Sequence, residues 1–313
     1  MSDLLKVSVS PHIRSRINTG GIMLAVIVAL MPATGFGIFH FGLTALYLIL
    51  VTSSTAVLTE TVVCLLLKKP VSIGDYSAVV TGLLLALCLP VETPLWLGAA
   101  GGIFAIFIVK MLFGGLGQNF MNPAMAALCF LVIVYVPLFF SALGTPLQAW
   151  ESGQSFGITQ ILFGQTGAAV GDASLAAILA GAIFLILLGI INLRVPGTYI
   201  VSFLLFIVLF TGHYEPAFLI AQIASGSLVL GAFFMASDPV TKPRSAGGQL
   251  LYGVILGLFT ALFRLYGPSG WAVPFAIILA NLLVPLIDKF CTGKKRIVHR
   301  RGGNLPPAIR DNA

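Results

Sequence analysis

Residues 114–147 read GGLGQNFMNPAMAALCFLVIVYVPLFFSALGTPL. A glycine-rich turn carrying Asn119 and Asn122 opens the stretch, about twenty mostly apolar residues follow, and Ser-Ala-Leu-Gly-Thr-Pro-Leu closes it. That length suits one helical crossing of a bilayer core. A polar cluster thus stands at each end of a predicted span, and the remainder reads as scaffold around it.

Composition extends this reading to the whole chain. Of 313 residues, 58% are hydrophobic and 9% charged, and the mean hydropathy is +1.04. No soluble core of this size could hide so much apolar surface. The apolar runs have helical length and lack the short alternating segments of a barrel, so the predicted class is an all-α integral membrane protein. The net charge of +7 gathers in the tails and a few loops. It reads as topology and contact with lipid, with no nucleic-acid partner. Cys64, Cys88, Cys129 and Cys291 show no CxxC spacing, and His12, His40, His213 and His299 are scattered, so no metal site is predicted.

Candidate spans fall near 20–40, 43–67, 76–91, 95–113, 120–142, 173–192, 196–212, 216–236, 247–265 and 270–288, about ten in all. The two shortest, 76–91 and 196–212, are candidates for interrupted or tilted helices. With a cytoplasmic N-terminus, the inner loops collect Lys68, Lys69, Lys110, Arg194, Lys242 and Arg244, and Arg264 alone falls outside. Both termini are therefore expected in the cytoplasm, with no cleaved signal peptide. Gly82-x7-Pro90-Val91-Glu92-Thr93-Pro94 recurs 149 residues on as Gly231-x7-Pro239-Val240-Thr241-Lys242-Pro243. The same displacement carries the first span onto the sixth. This predicts two inverted five-helix repeats, 18–142 and 173–290, flanked by a tail 1–17, an outer loop 143–172 and a basic tail 291–313. Inverted repeats place a polar pathway near the membrane midplane.

Each polar group has two readings. Asn119 and Asn122, after Gly115 and Gly117, can present amide donors and acceptors to a flat ligand where glycines allow close approach. Alternatively, Asn followed by Pro123 is a helix cap. Asp238 and Lys242 form a turn with topogenic charge or a receptor for a phosphate. Glu60, a carboxylate within the second span, marks an ion path or lies at the water interface. Thr145, before Pro146, is by its own chemistry a turn residue.

The runs GGLGQNFMNPAMAA, GAFFMASDPVTKPRSAGGQLLYG and ANLLVPLID together resemble the D subunits of Rnf complexes, ion-translocating ferredoxin:NAD oxidoreductases of prokaryotic membranes. More distantly they are similar to the B subunits of sodium-pumping NADH:quinone reductases. The resemblance implies covalent FMN, joined by a phosphoester bond to the threonine matching Thr145. It also implies a noncovalent riboflavin-type flavin near Asn119 and Asn122, with Gly115 and Gly117 in its turn and Asp238 and Lys242 as further contacts. Ala142, Leu143 and Gly144 depart from the family's Ser/Thr, Gly and Ala before the attachment threonine.

The expected function is that of a translocase and oxidoreductase subunit. Its flavins pass electrons across the membrane coupled to Na+ or H+, while other subunits of the complex hold the ferredoxin and NAD sites. Two further readings stay open: a channel or secondary transporter for a small solute, lined by Glu60 and the Asn pair, and a scaffold subunit without flavin.

Overall fold

A computed structural model describes residues 19–68, 72–135, 146–153, 158–163, 169–267 and 269–291. The N-terminal tail, the chain beyond Cys291 and Thr145 lie outside the described residues. The first helices are α1 (Thr19–Phe41), α2 (Leu43–Leu66), α3 (Ser77–Cys88) and α4 (Leu95–Phe104). The last runs on as a π-helical segment, Ala105–Met111. Next come α5 (Pro123–Val134), the short α6 (Pro146–Glu151) and α7 (Ile158–Phe163), and α8 (Leu175–Leu187). The chain continues with α9 (Arg194–Thr211), α10 (Pro216–Ala224) and α11 (Leu228–Leu230), which passes into a second π-helical segment, Gly231–Met235. It closes with α12 (Ala246–Tyr266) and α13 (Ser269–Cys291).

Among the described residues, α1, α2, α9, α12 and α13 are long and apolar enough to cross a membrane. The predicted span 216–236 is bent: α10 and the helix beginning at Leu228 meet at an angle of 64°, and taken as one span the pair is long and apolar enough for a sixth crossing. Ser225-Gly226-Ser227 supplies the break, with Ser227 at a positive φ of 53°. Of the two candidates for interrupted or tilted helices, 196–212 is not interrupted, since α9 is continuous over 18 residues. The other candidate, 76–91, holds the 12-residue α3, and α5, α8 and the α4 segment are likewise below the roughly 20 residues a full span needs. Within 120–142, the described helix covers Pro123–Val134.

The long helices expose apolar side chains such as Met31, Phe39 (88% exposed), Leu50 and Leu66. A soluble helix would turn these inward; here they suit contact with lipid tails. Several hydroxyls on these helices bond within their own turns, as Thr34 donates to the Leu30 carbonyl and Thr59 to that of Thr55, whereas the buried Thr52 and Ser53 hydroxyls of α2 have no partner among the described residues. One core joins both parts of the chain, running from Ala29 through Leu131 to Ile287. Helix α1 packs along α8, and α5 packs against α13. The elements that earlier and later sequence contribute are therefore interleaved, and the candidate cavity lies between them.

Candidate functional site

A polar-lined cavity opens between the start of α1, the start of α3, the glycine-rich turn before α5, the end of α8 and the turn at 237–240. It contains about 790 Å³ of space free of atoms, part of it continuous with solvent. Its walls are mainly apolar, with Leu84, Ile191, Phe233 and Phe234 among them. Lys110, Asn119, Asn122 and Asp238 supply charge and amide groups, and Ser77, Thr81 and Ser237 supply hydroxyls. A mostly apolar cleft with a few convergent polar groups is the usual form of a cofactor site.

The turn that carries the asparagines is possible because Gly114, Gly115 and Gly117 all take positive φ (113°, 102° and 88°). An added Cβ on Gly115 or Gly117 would meet nothing within 4 Å. These two glycines thus act through backbone conformation, and the turn's residues lining the cavity are Leu116 and Asn119. The two asparagines have different tasks. Asn122 caps α5, its Oδ1 accepting from the Ala124 and Met125 amides at 3.1 and 3.2 Å. Its Nδ2 donates to the Met235 carbonyl at 3.4 Å and ties the turn to the second π-helical segment. Asn119 is 8% exposed, and its Oδ1 is buried without a partner among the described residues. An unmatched buried acceptor in a cavity wall is suited to receive a ligand's donor.

Asp238 closes the far side. Its carboxylate accepts from the Val240 amide at 3.2 Å and from the Thr241 hydroxyl. Burial holds its pKa above the ordinary carboxylate range, against the opposing effect of those bonds and of Lys242. Burial likewise lowers the pKa of Lys242, which Asp238 partly restores. Lys242 is half-buried and stays outside the cavity lining.

Lys110, read from sequence as a topogenic charge, belongs to a buried network at the cavity edge. The lysine is 1% exposed and Glu60 0%. Lys110 Nζ donates to Glu60 Oε2 at 2.8 Å and to Ser77 Oγ at 2.6 Å. Glu60 Oε1 accepts the Ser72 hydroxyl, and the Ser77 hydroxyl and amide donate to Asp75. Glu60 is thus paired, with a partner 50 residues away. The sequence signal was the coincidence of one cation and one anion, each inside an apolar run. Both π-helical segments border the cavity, one contributing Lys110 and the other Phe233 and Phe234. A π turn displaces side chains from the regular helical register and is frequent at functional sites.

A second polar group lies at the opposite end of the bundle, where the Val170 carbonyl meets α1 at Gly37. Asp172 Oδ2 accepts the Ser227 amide and hydroxyl at 2.8 and 2.9 Å. Arg264, the lone outer cation expected from the sequence, is buried and donates to the carbonyls of Gln222 and Ser225 and to Gln222 Oε1. It therefore satisfies carbonyls freed by the break in the helix. Replacing Arg264 by Met is expected to lower the thermal midpoint in detergent by the equivalent of about 3 kcal/mol, because several buried acceptors lose their donors at once. Arg264→Lys should recover only part of this, since an ammonium lacks the fork that reaches three acceptors. Nearby, the Leu147 amide donates to Ser225 Oγ at 3.0 Å. The chain two residues past Thr145 is thus fastened to the break.

Fold and cavity define a polytopic helical membrane protein with a mostly apolar cleft built from both parts of its chain. The chain belongs to the NQR2, RnfD, RnfE family, whose model matches residues 6–296. It is 42% identical over 308 residues to the D subunit of the Na(+)-translocating ferredoxin:NAD(+) oxidoreductase complex of Acetobacterium woodii, covering 94% of this chain and 95% of that one. It is 35% identical to the proton-translocating counterpart of Clostridium ljungdahlii, with 92% and 95% covered. It is 32% identical to the D subunit of the ion-translocating oxidoreductase complex of Shewanella amazonensis, with 95% and 99% covered.

Proposed function

We propose that this chain is the membrane-embedded D-type subunit of an ion-translocating ferredoxin:NAD oxidoreductase complex, passing electrons across the bilayer through bound flavin. Family membership and the near-complete coverage of these relatives support the assignment. Other subunits hold the ferredoxin and NAD sites, and Na+ or H+ is the transported ion. The ten predicted spans, arranged as two inverted repeats with both termini in the cytoplasm, supply the scaffold.

One observation carries the cofactor reading: the buried, unpartnered Asn119 Oδ1 in an apolar cleft with Lys110 and Asp238 on its walls. These residues fit the isoalloxazine of a noncovalent riboflavin, whose N–H groups need acceptors and whose flat ring needs apolar walls. Asn119 would accept from the ring, Phe233 and Phe234 would bound it, and the flavin would supply the electron-carrying chemistry. Covalent FMN on Thr145 would stand at the other end, beyond the segment fastened at Leu147. From Ile22 at the cleft to Gly37 near the opposite cluster, α1 rises about 22 Å at 1.5 Å per residue. Two flavins would divide a core of about 30 Å into shorter transfers.

Flavin fluorescence separates these assignments. In protein from a host that attaches FMN, fluorescence surviving denaturation should be present in the wild type and absent in Thr145→Ala. Asn119→Ala should leave that signal intact and weaken the noncovalent flavin about fivefold, the equivalent of about 1 kcal/mol for one lost hydrogen bond. Wild-type protein that purifies colourless would overturn the flavin reading and favour the pore.

A further inference from the structure

We propose that Lys110 is a shared counter-ion, held between Glu60 and the ligand cleft, and that it converts negative charge arriving in the cleft into cation uptake at Glu60. The inference rests on the flavin reading above and assigns a positioning role that the sequence did not suggest. Three observations carry it. The ammonium lines the cleft, alongside Ser77 and Asn119. It is fully buried, as is the carboxylate that it meets at 2.8 Å. Among the described residues it donates to two acceptors, Glu60 and Ser77, whereas an ammonium has three N–H donors. One donor is left for the cleft.

Glu60 and Lys110 compensate each other in a region where an uncompensated charge is costly. An electron delivered to the cleft adds one negative charge within reach of the same ammonium. Lys110 cannot neutralise two anions, so its hold on Glu60 weakens, and one H+ or monovalent cation entering at Glu60 restores neutrality. One electron enters, one cation enters, and no covalent bond is made or broken. The surrounding ionisable groups are few. Asp75 lies behind Ser77, Cys64 Sγ is 3.7 Å from Ser72 Oγ, and Asp238 lines the cleft. Of these side chains, Glu60 is the one that Lys110 contacts directly as an anion. Electrostatic attraction between buried side chains is stronger than in water, so the competition between the two anions is consequential.

The test uses the full-length protein in detergent, loaded with riboflavin and reduced by dithionite. The midpoint potential of the bound flavin reads its relative affinity in the two redox states. Lys110→Met should lower that potential and Glu60→Gln should raise it. Each change should correspond to at least about a tenfold shift in relative affinity, or 59 mV for a one-electron couple. The double variant Glu60→Gln/Lys110→Met should fall between them. A purely structural role would weaken both redox states alike and leave the potential unmoved. Redox-difference infrared spectra decide the matter if the single variants do not accumulate. The wild type should show a carboxylate band that shifts on reduction, and the double variant, which keeps no buried charge at this pair, should lack it. Shifts of the same sign in both single variants, or identical wild-type and double-variant spectra, overturn the proposal. Failure of the wild type to bind riboflavin overturns the flavin reading and this inference with it, whereas binding with unmoved potentials removes the inference alone.

Discussion

Glu60→Ala is expected to be among the most damaging single substitutions in this protein, lowering the stability of the folded state by about 3–5 kcal/mol. The reason is the partner left behind. Lys110 is 1% exposed, so its ammonium, once unpaired, is poorly solvated. Ser77 remains as an acceptor, but a hydroxyl oxygen does not compensate an ammonium. Adding Lys110→Met to the variant should return most of the loss, because two apolar side chains leave nothing uncompensated. Thermal unfolding in detergent, followed as loss of the monodisperse peak, measures both. Equal midpoints for Glu60→Ala and the wild type would show that the pair is solvated. The sign of the second step separates a charge effect from a packing effect, since removing more side-chain volume would otherwise make matters worse.

Gly181→Ala is expected to be comparably severe for a purely steric reason. A Cβ at Gly181 would lie 2.0 Å from the Ala29 carbonyl oxygen, where α8 crosses α1. The obstacle is backbone, so no rotamer change relieves it and the helices must separate. Membrane helices associate through this kind of close approach between small residues, and overpacking costs about 3 kcal/mol when the surroundings cannot shift. The same Cβ would stand 3.2 Å from the ring of Phe234, a wall of the cleft. On the proposed flavin reading, noncovalent flavin should therefore fall together with the unfolding midpoint. Gly35→Ala on α1 is the control: nothing lies within 4 Å of its added Cβ, and the change should be neutral or stabilising by about 0.5–1 kcal/mol. If Gly181→Ala and Gly35→Ala behave alike in the same assay, α1 and α8 do not meet as closely as described.

Much of this was legible in the sequence because local chemistry decides it. Apolar runs without charge announce membrane helices, and Asn122 before Pro123 announces a cap, which the structure shows. The asparagine pair was not separable from sequence alone. Both sit in one turn, but only the three-dimensional arrangement brings the Met235 carbonyl to Asn122 and leaves Asn119 Oδ1 unmatched. The charges misled for a related reason. Lys110 and Arg264 stand near helix ends, where topology usually explains a cation, yet each is buried against groups about 40 to 50 residues away in sequence. The break at Ser225-Gly226-Ser227 had a visible signal, since Gly and Ser are common at kinks. It was obscured because the summed hydropathy of 216–236 is that of a continuous span.

The bond from Asn122 to the Met235 carbonyl also bears on the order of events during synthesis. Its partners are 113 residues apart, and ribosomes add about 5–20 residues per second. The first wall of the cleft therefore waits roughly 6 to 23 s for the second to be made. Until then Asn119 and Lys110 face a site that does not yet exist, and a cofactor arriving early has nothing to hold it. If the cleft holds flavin as proposed, its loading follows translation of the second half. A chain that terminates before residue 235 should insert its early helices and remain empty, whatever the supply of flavin.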